Sequence, residues 1–176
     1  MENKKKNVIN AKDITLIALM TTILFTLEQL LTFLPNIQLT VFLLVLYSKK
    51  LGLIKTAIIS IIHVFLDCLV MGGFNMLFAP FMLVGWLVIP ITLNTIFKKV
   101  ESNIVLAFLG VLFAFIYSWI YIIPNCIILH IDFIAYLVSD IIFEVLLATS
   151  SFLSIMLLYN PCAKIFDRYK INKEIS

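Results

Sequence analysis

Long apolar runs alternate along this chain with short polar breaks, and the breaks set the elements. Residues 1–12 are polar, and Asp13 is placed to cap a helix starting near Ile14. The first apolar run, 14–34, stops before Pro35, because a residue ahead of proline is pushed out of the helical region. The polar turn Pro35-Asn36-Ile37-Gln38 leads into a short run over 37–48. Lys49, Lys50 and Lys55 surround Gly52, and a third run covers 51–71. Gly72-Gly73-Phe74-Asn75 reads as a tight turn into a run over 76–97, where Pro90 predicts a kink and Pro80 sits near the start. Lys98, Lys99 and Glu101 break the pattern before 103–123, which ends at Pro124-Asn125. The last run, 132–159, stops at Asn160-Pro161 and leaves a polar tail over 160–176. Most of these runs approach the ~20 residues that a helix needs to cross a bilayer.

Composition turns that pattern into a class. Of 176 residues, 62% are hydrophobic and 13% charged, against about 25% charged in a soluble domain. The mean hydropathy is +1.11. The expectation is an all-α integral membrane protein, a bundle of six transmembrane helices forming one domain over 1–176. The first run is too long for a cleaved signal peptide and lacks a small-residue cleavage site, so it reads as an uncleaved span. Cys68, Cys126 and Cys162 show neither CxxC nor zinc-ligand spacing and read as small packing residues. No metal, cofactor or nucleic-acid signature is present.

The basic residues orient the bundle. Every Lys and Arg falls in the N-terminal segment, after the second run, after the fourth run, or in the C-terminal tail. With six spans these segments share one side, and the positive-inside rule makes it the cytoplasm, both termini included. A five-span reading would place Lys98 and Lys99 on the opposite side from the N-terminal lysines.

That orientation gathers the acidic residues. Asp140 and Glu144 lie four residues apart in the last run, stacked on one helix face with Tyr136 a turn earlier. A carboxylate in hydrocarbon costs several kcal/mol unless it faces a cavity or a partner. Glu28 and Asp67 fall at the same outer depth, with Tyr117, Tyr121 and Asn125 near them and Asn36 and Gln38 in the outer turn. The inner halves of the spans are almost pure hydrocarbon. Together these residues describe a cup open to the outside, not a path across the membrane. His63, one turn below Asp67, is expected to partner that carboxylate. Tyr117, Trp119 and Tyr121 read either as an interfacial aromatic belt or as part of the cup. Trp86, mid-span, reads as core packing or as a stacking platform. No Lys or Arg is buried, so the site should prefer a neutral or cationic solute, and aromatic rings beside carboxylates suit a flat cationic ring. The charge argument disfavours ligands that carry carboxylates. A stripe of small residues on the first span, Thr15, Ala18, Thr22 and Thr26, suits close helix approach, either within the bundle or against another membrane protein.

No GxxxxGK[ST], HExxH or GxSxG occurs, so neither ATP hydrolysis nor hydrolase chemistry is expected of this chain. Six spans of about this length, polar residues near the outside, Ala18-x-x-x-Thr22 in the first span and the segment Leu34 to Thr40 together resemble the substrate-binding (S) components of energy-coupling factor transporters. In that family the second small residue is typically alanine; here it is Thr22. The resemblance implies a subunit that captures a vitamin or related precursor from outside, with Asn36 and Gln38 in a lid-like connection. It also implies a transmembrane coupling protein and two ATPase subunits as partners, in a prokaryotic cell membrane. The alternatives are a stand-alone proton-coupled transporter using Asp67, Asp140 and Glu144, a membrane enzyme built on the carboxylates, and an assembly subunit whose acids are purely structural.

Overall fold

The computed structural model describes residues 9–71 and 76–175. Among these residues the chain forms a bundle of six α-helices: α1 Ala11–Leu31, α2 Thr40–Leu51, α3 Leu53–Met71, α4 Ala79–Asn94, α5 Asn103–Ile128 and α6 Phe133–Ile175. Four of them, α1, α3, α5 and α6, are each long and apolar enough to cross a membrane. With its apolar exterior, the molecule is a multi-pass helical membrane protein. The tight turn expected at 72–75 lies outside the described residues, as do Lys4, Lys5 and Lys6.

The short second run becomes the centre of the bundle. α2 has 12 residues, about 18 Å of helix, too short to cross alone. Yet Thr40 through Ser48 are all buried, and α2 packs against each of the other five helices. A helix that is apolar all round has no face to give to water, so it belongs inside. Tyr47, 1% exposed, donates its hydroxyl to the Met20 carbonyl at 3.3 Å and ties α2 to α1. Gly52 alone joins α2 to α3, with φ +83° and ψ 179°, a region open only to glycine. The other helices run around α2 in the order α1, α3, α4, α5, α6, each packed on the next.

Several helix ends differ from the sequence expectation. α1 starts at Ala11, capped by Asn10 and not by Asp13. Asp13 takes the third position of a reciprocal capping box: its N–H donates to Asn10 Oδ1 at 2.9 Å, and the Asn10 N–H donates back to Asp13 Oδ2 at 3.3 Å. Asp13 also pairs with Lys55 at 2.6 Å, joining the starts of α1 and α3. α5 continues through Pro124 to Ile128, and buried Asn125 donates Nδ2 to the Tyr121 carbonyl at 2.7 Å. α6 does not stop at Asn160-Pro161; it runs 43 residues, about 64 Å. Proline costs the helix one hydrogen bond and some crowding, and tertiary contacts beyond it offset that. Lys50 meets Asp167 at 2.8 Å, and the ring of Phe166 lies 6.2 Å from that of Tyr47.

The end of the bundle bearing the loop lysines contains buried hydroxyls that a pure hydrocarbon reading leaves out. Ser48, Thr56 and Ser60 each donate to the backbone carbonyl four residues earlier, so they need no distant partner. α5 and α6 meet closely where Gly110 faces Ile155 and Ser151. No disulfide joins the three cysteines; Cys68 is buried and the others partly so.

Candidate functional site

Because α2 begins only at Thr40, the space beyond its N-terminus is left to the surrounding helices and the 32–39 connection. A cavity of about 310 Å³ opens there. Its wall takes Glu28 from α1, Asn36 and Gln38 from the connection, Asp67 from α3 and Met82 from α4. Tyr117, Ser118 and Tyr121 come from α5, and Tyr136, Asp140 and Leu147 from α6. Three carboxylates and three tyrosines from four helices thus share one cavity, and no Lys or Arg lines it among the described residues.

The carboxylates are held by specific neighbours. Glu28 Oε2 lies 2.8 Å from Nε2 of His63, which is fully buried on α3. His63 therefore sits against Glu28 of the neighbouring helix, and not chiefly against Asp67 on its own helix as the spacing suggested. The ring nitrogen is close to the carboxylate without the alignment of a hydrogen bond. Asp67 instead accepts from Gln29 Nε2 at 3.3 Å. Thr40, the first residue of α2, donates to Glu28 Oε2 at 3.3 Å and stands 3.2 Å from Gln38 Oε1. The positive end of the α2 dipole lies beside Glu28.

The aromatic wall is built on a glycine. Tyr117 stacks on Trp86 with ring centroids 3.8 Å apart and planes 19° from parallel. This is possible because α4 carries Gly85 beside Trp86: a Cβ there would lie 2.6 Å from Tyr117 Cδ2. The Tyr117 and Tyr121 rings are 5.1 Å apart and tilted by 40°. Trp86, 1% exposed, backs Tyr117 and does not line the cavity.

The connection from α1 to α2 closes one side. Asn36 adopts φ +55°, a left-handed conformation that asparagine tolerates better than most residues. Its carbonyl accepts from Ser150 of α6 at 3.5 Å.

Of the residues singled out from sequence, Glu28, Asp67, Tyr117, Tyr121, Tyr136, Asp140, Asn36 and Gln38 meet at the cavity. Trp86, Asn125 and Glu144 do not line it. Asn125 is turned into a helix hydrogen bond. Glu144 is buried one turn further along α6, off the cavity wall. Thr40, Ser118 and Gly85 were missed. Gln29 sits next to Glu28, and a polar side chain at that outer depth is the signal that places it with the acids. Gly85 had none, because its role depends on which ring lands opposite. The α1 stripe, Thr15, Ala18, Thr22 and Thr26, is exposed throughout, with Thr15 and Thr22 bonded to carbonyls of their own helix.

The fold and cavity define a small multi-pass membrane protein with an acidic, aromatic recess near one end. No family model, curated protein or solved structure matches the chain.

Proposed function

We propose that this chain is the solute-binding membrane subunit of an energy-coupling factor importer, capturing a vitamin or related precursor. The observation that carries this reading is the cavity: Glu28, Asp67 and Asp140 beside Tyr117, Tyr121 and Tyr136, with no lysine or arginine among its lining residues. Such a site favours a neutral or cationic ring. At about 310 Å³ it stands at the small end of ligand pockets, suited to a compact ring system. In this reading the lysine-bearing end faces the cytoplasm by the positive-inside rule, the cavity opens outside, and the membrane is a prokaryotic cell membrane. The resemblance in the α1 stripe and in Leu34 to Thr40 supports the assignment. The stripe is not consumed by packing within the chain and is available to a transmembrane coupling protein, whose two ATPase partners would supply the ATP chemistry this sequence lacks.

The test is a ligand screen on the purified, detergent-solubilised chain by thermal unfolding. A ligand at a hundred to a thousand times its Kd stabilises the folded state by about 3–4 kcal/mol. One vitamin or precursor should raise the unfolding temperature, and Asp67→Asn should markedly reduce the shift at the same ligand concentration. Solute uptake by this chain alone in ATP-free vesicles, driven by a proton gradient, would overturn the assignment.

A further inference from the structure

The opposite end of the bundle holds a second recess that the transport reading does not use. It encloses about 500 Å³ where the end of α2, the connection after α4 and the far part of α6 meet. Lys49, Lys50, Lys98 and Lys164 line it, against the carboxylates of Glu101 and Asp167. Two of the lysines build the recess. Lys49 donates to the Phe97 and Lys98 carbonyls at 2.7 and 3.3 Å, which fixes the turn leaving α4. Lys50 binds both oxygens of Asp167 at 2.8 Å, which holds the α6 extension beside α2. The ammonium groups of Lys98 and Lys164 have no hydrogen bond or ion pair to another described residue. Four ammonium groups therefore face two carboxylates, and the unspent charge sits on a preformed concave surface.

The segments that build this recess also carry uncovered apolar side chains: Ile96, Leu157 and Ile165 are 74%, 70% and 67% exposed. A basic pocket on segments with uncovered apolar side chains, at the end of membrane-crossing helices, matches a molecule with an anionic head and hydrocarbon tails. We infer that this recess binds the phosphate headgroup of an anionic lipid, with Lys98 and Lys164 as its charge partners and the neighbouring apolar surface taking the acyl chains. A soluble anion would use the lysines and leave the apolar side chains unused.

The experiment places the purified full chain in phosphatidylcholine nanodiscs with an equal share of phosphatidylglycerol and reads retained lipid by native mass spectrometry. The wild type should keep phosphatidylglycerol over phosphatidylcholine. The double variant Lys98→Gln/Lys164→Gln should lose about 30-fold in that preference, the combined contribution of two surface lysines. Lys98→Arg/Lys164→Arg should retain it, and Lys12→Gln/Lys99→Gln, with the same change in net charge outside the recess, should also retain it. Equal losses in both glutamine doubles would overturn the inference in favour of diffuse surface charge. Absence of any phosphatidylglycerol preference in the wild type would also overturn it. Displacement of the bound lipid by millimolar inorganic phosphate would reassign the recess to a free oxyanion.

Discussion

Gly85→Ala tests how the cavity wall is built. The new methyl would lie 2.6 Å from Tyr117 Cδ2, 0.8 Å inside the 3.4 Å at which ordinary contact begins. The obstacle is the inner edge of a ring, not the end of a flexible chain, so Tyr117 must leave its stack on Trp86. Overpacking of this kind costs about 1–3 kcal/mol. Loss of the offset stack adds roughly 0.5–1.5 kcal/mol, and replacing a helical glycine returns up to about 1 kcal/mol. The net expectation is a destabilisation of about 2 kcal/mol, or roughly 4–8 °C in unfolding temperature for a chain of this size. The assay is thermal unfolding in detergent in a Trp119→Phe background, so that emission reports Trp86 alone. Gly85→Ala should lower the transition and change the Trp86 emission as its stacking partner moves. A second copy of the substitution, made in Tyr117→Leu, should cost far less, because the ring that clashes is gone. Unchanged stability and emission, or an equal cost in the Tyr117→Leu background, would refute the account of Gly85 as the seat of the stack.

Other expectations follow from the same geometry. Glu28→Gln and Asp67→Asn should each weaken binding of a cationic ligand by about 10- to 100-fold, the worth of a charge-assisted hydrogen bond, measured by titration calorimetry. Glu144→Gln should leave that affinity within about threefold, because Glu144 lies off the cavity; a loss as large as that of Asp67→Asn would place it in the site. Gly110→Ala should be nearly neutral in thermal unfolding, unlike Gly85→Ala, because the atom it meets is the rotatable δ-methyl of Ile155. Asp13→Ala removes half of a capping box and the 2.6 Å pair with Lys55, and should cost about 1–2 kcal/mol in unfolding free energy. Asp167→Ala breaks a pair whose acid is 53% exposed and should cost at most about 1 kcal/mol.

The alternation of apolar runs and polar breaks determined by itself that the chain folds as a helical membrane bundle, because hydrocarbon demands internal satisfaction of every backbone group. It also determined which acids are out of place in hydrocarbon, and Glu28, Asp67 and Asp140 do share a cavity. Spacing along one helix could not assign partners between helices: His63 sits four residues from Asp67 but lies against Glu28, because the α1–α3 crossing decides which carboxylate it meets. Local signals also misjudged where helices end. Pro161 carries a helix-stopping signal, but the contacts of Phe166 and Asp167 with α2 outweigh the single hydrogen bond it removes. The run at 37–48 is short for a crossing, and only the packing of five helices around it makes it the core. Its shortness leaves the cavity beyond its N-terminus, and the ring that faces Gly85 is set by how α4 and α5 pack. Those are properties of six helices together, and no single run of residues carries them.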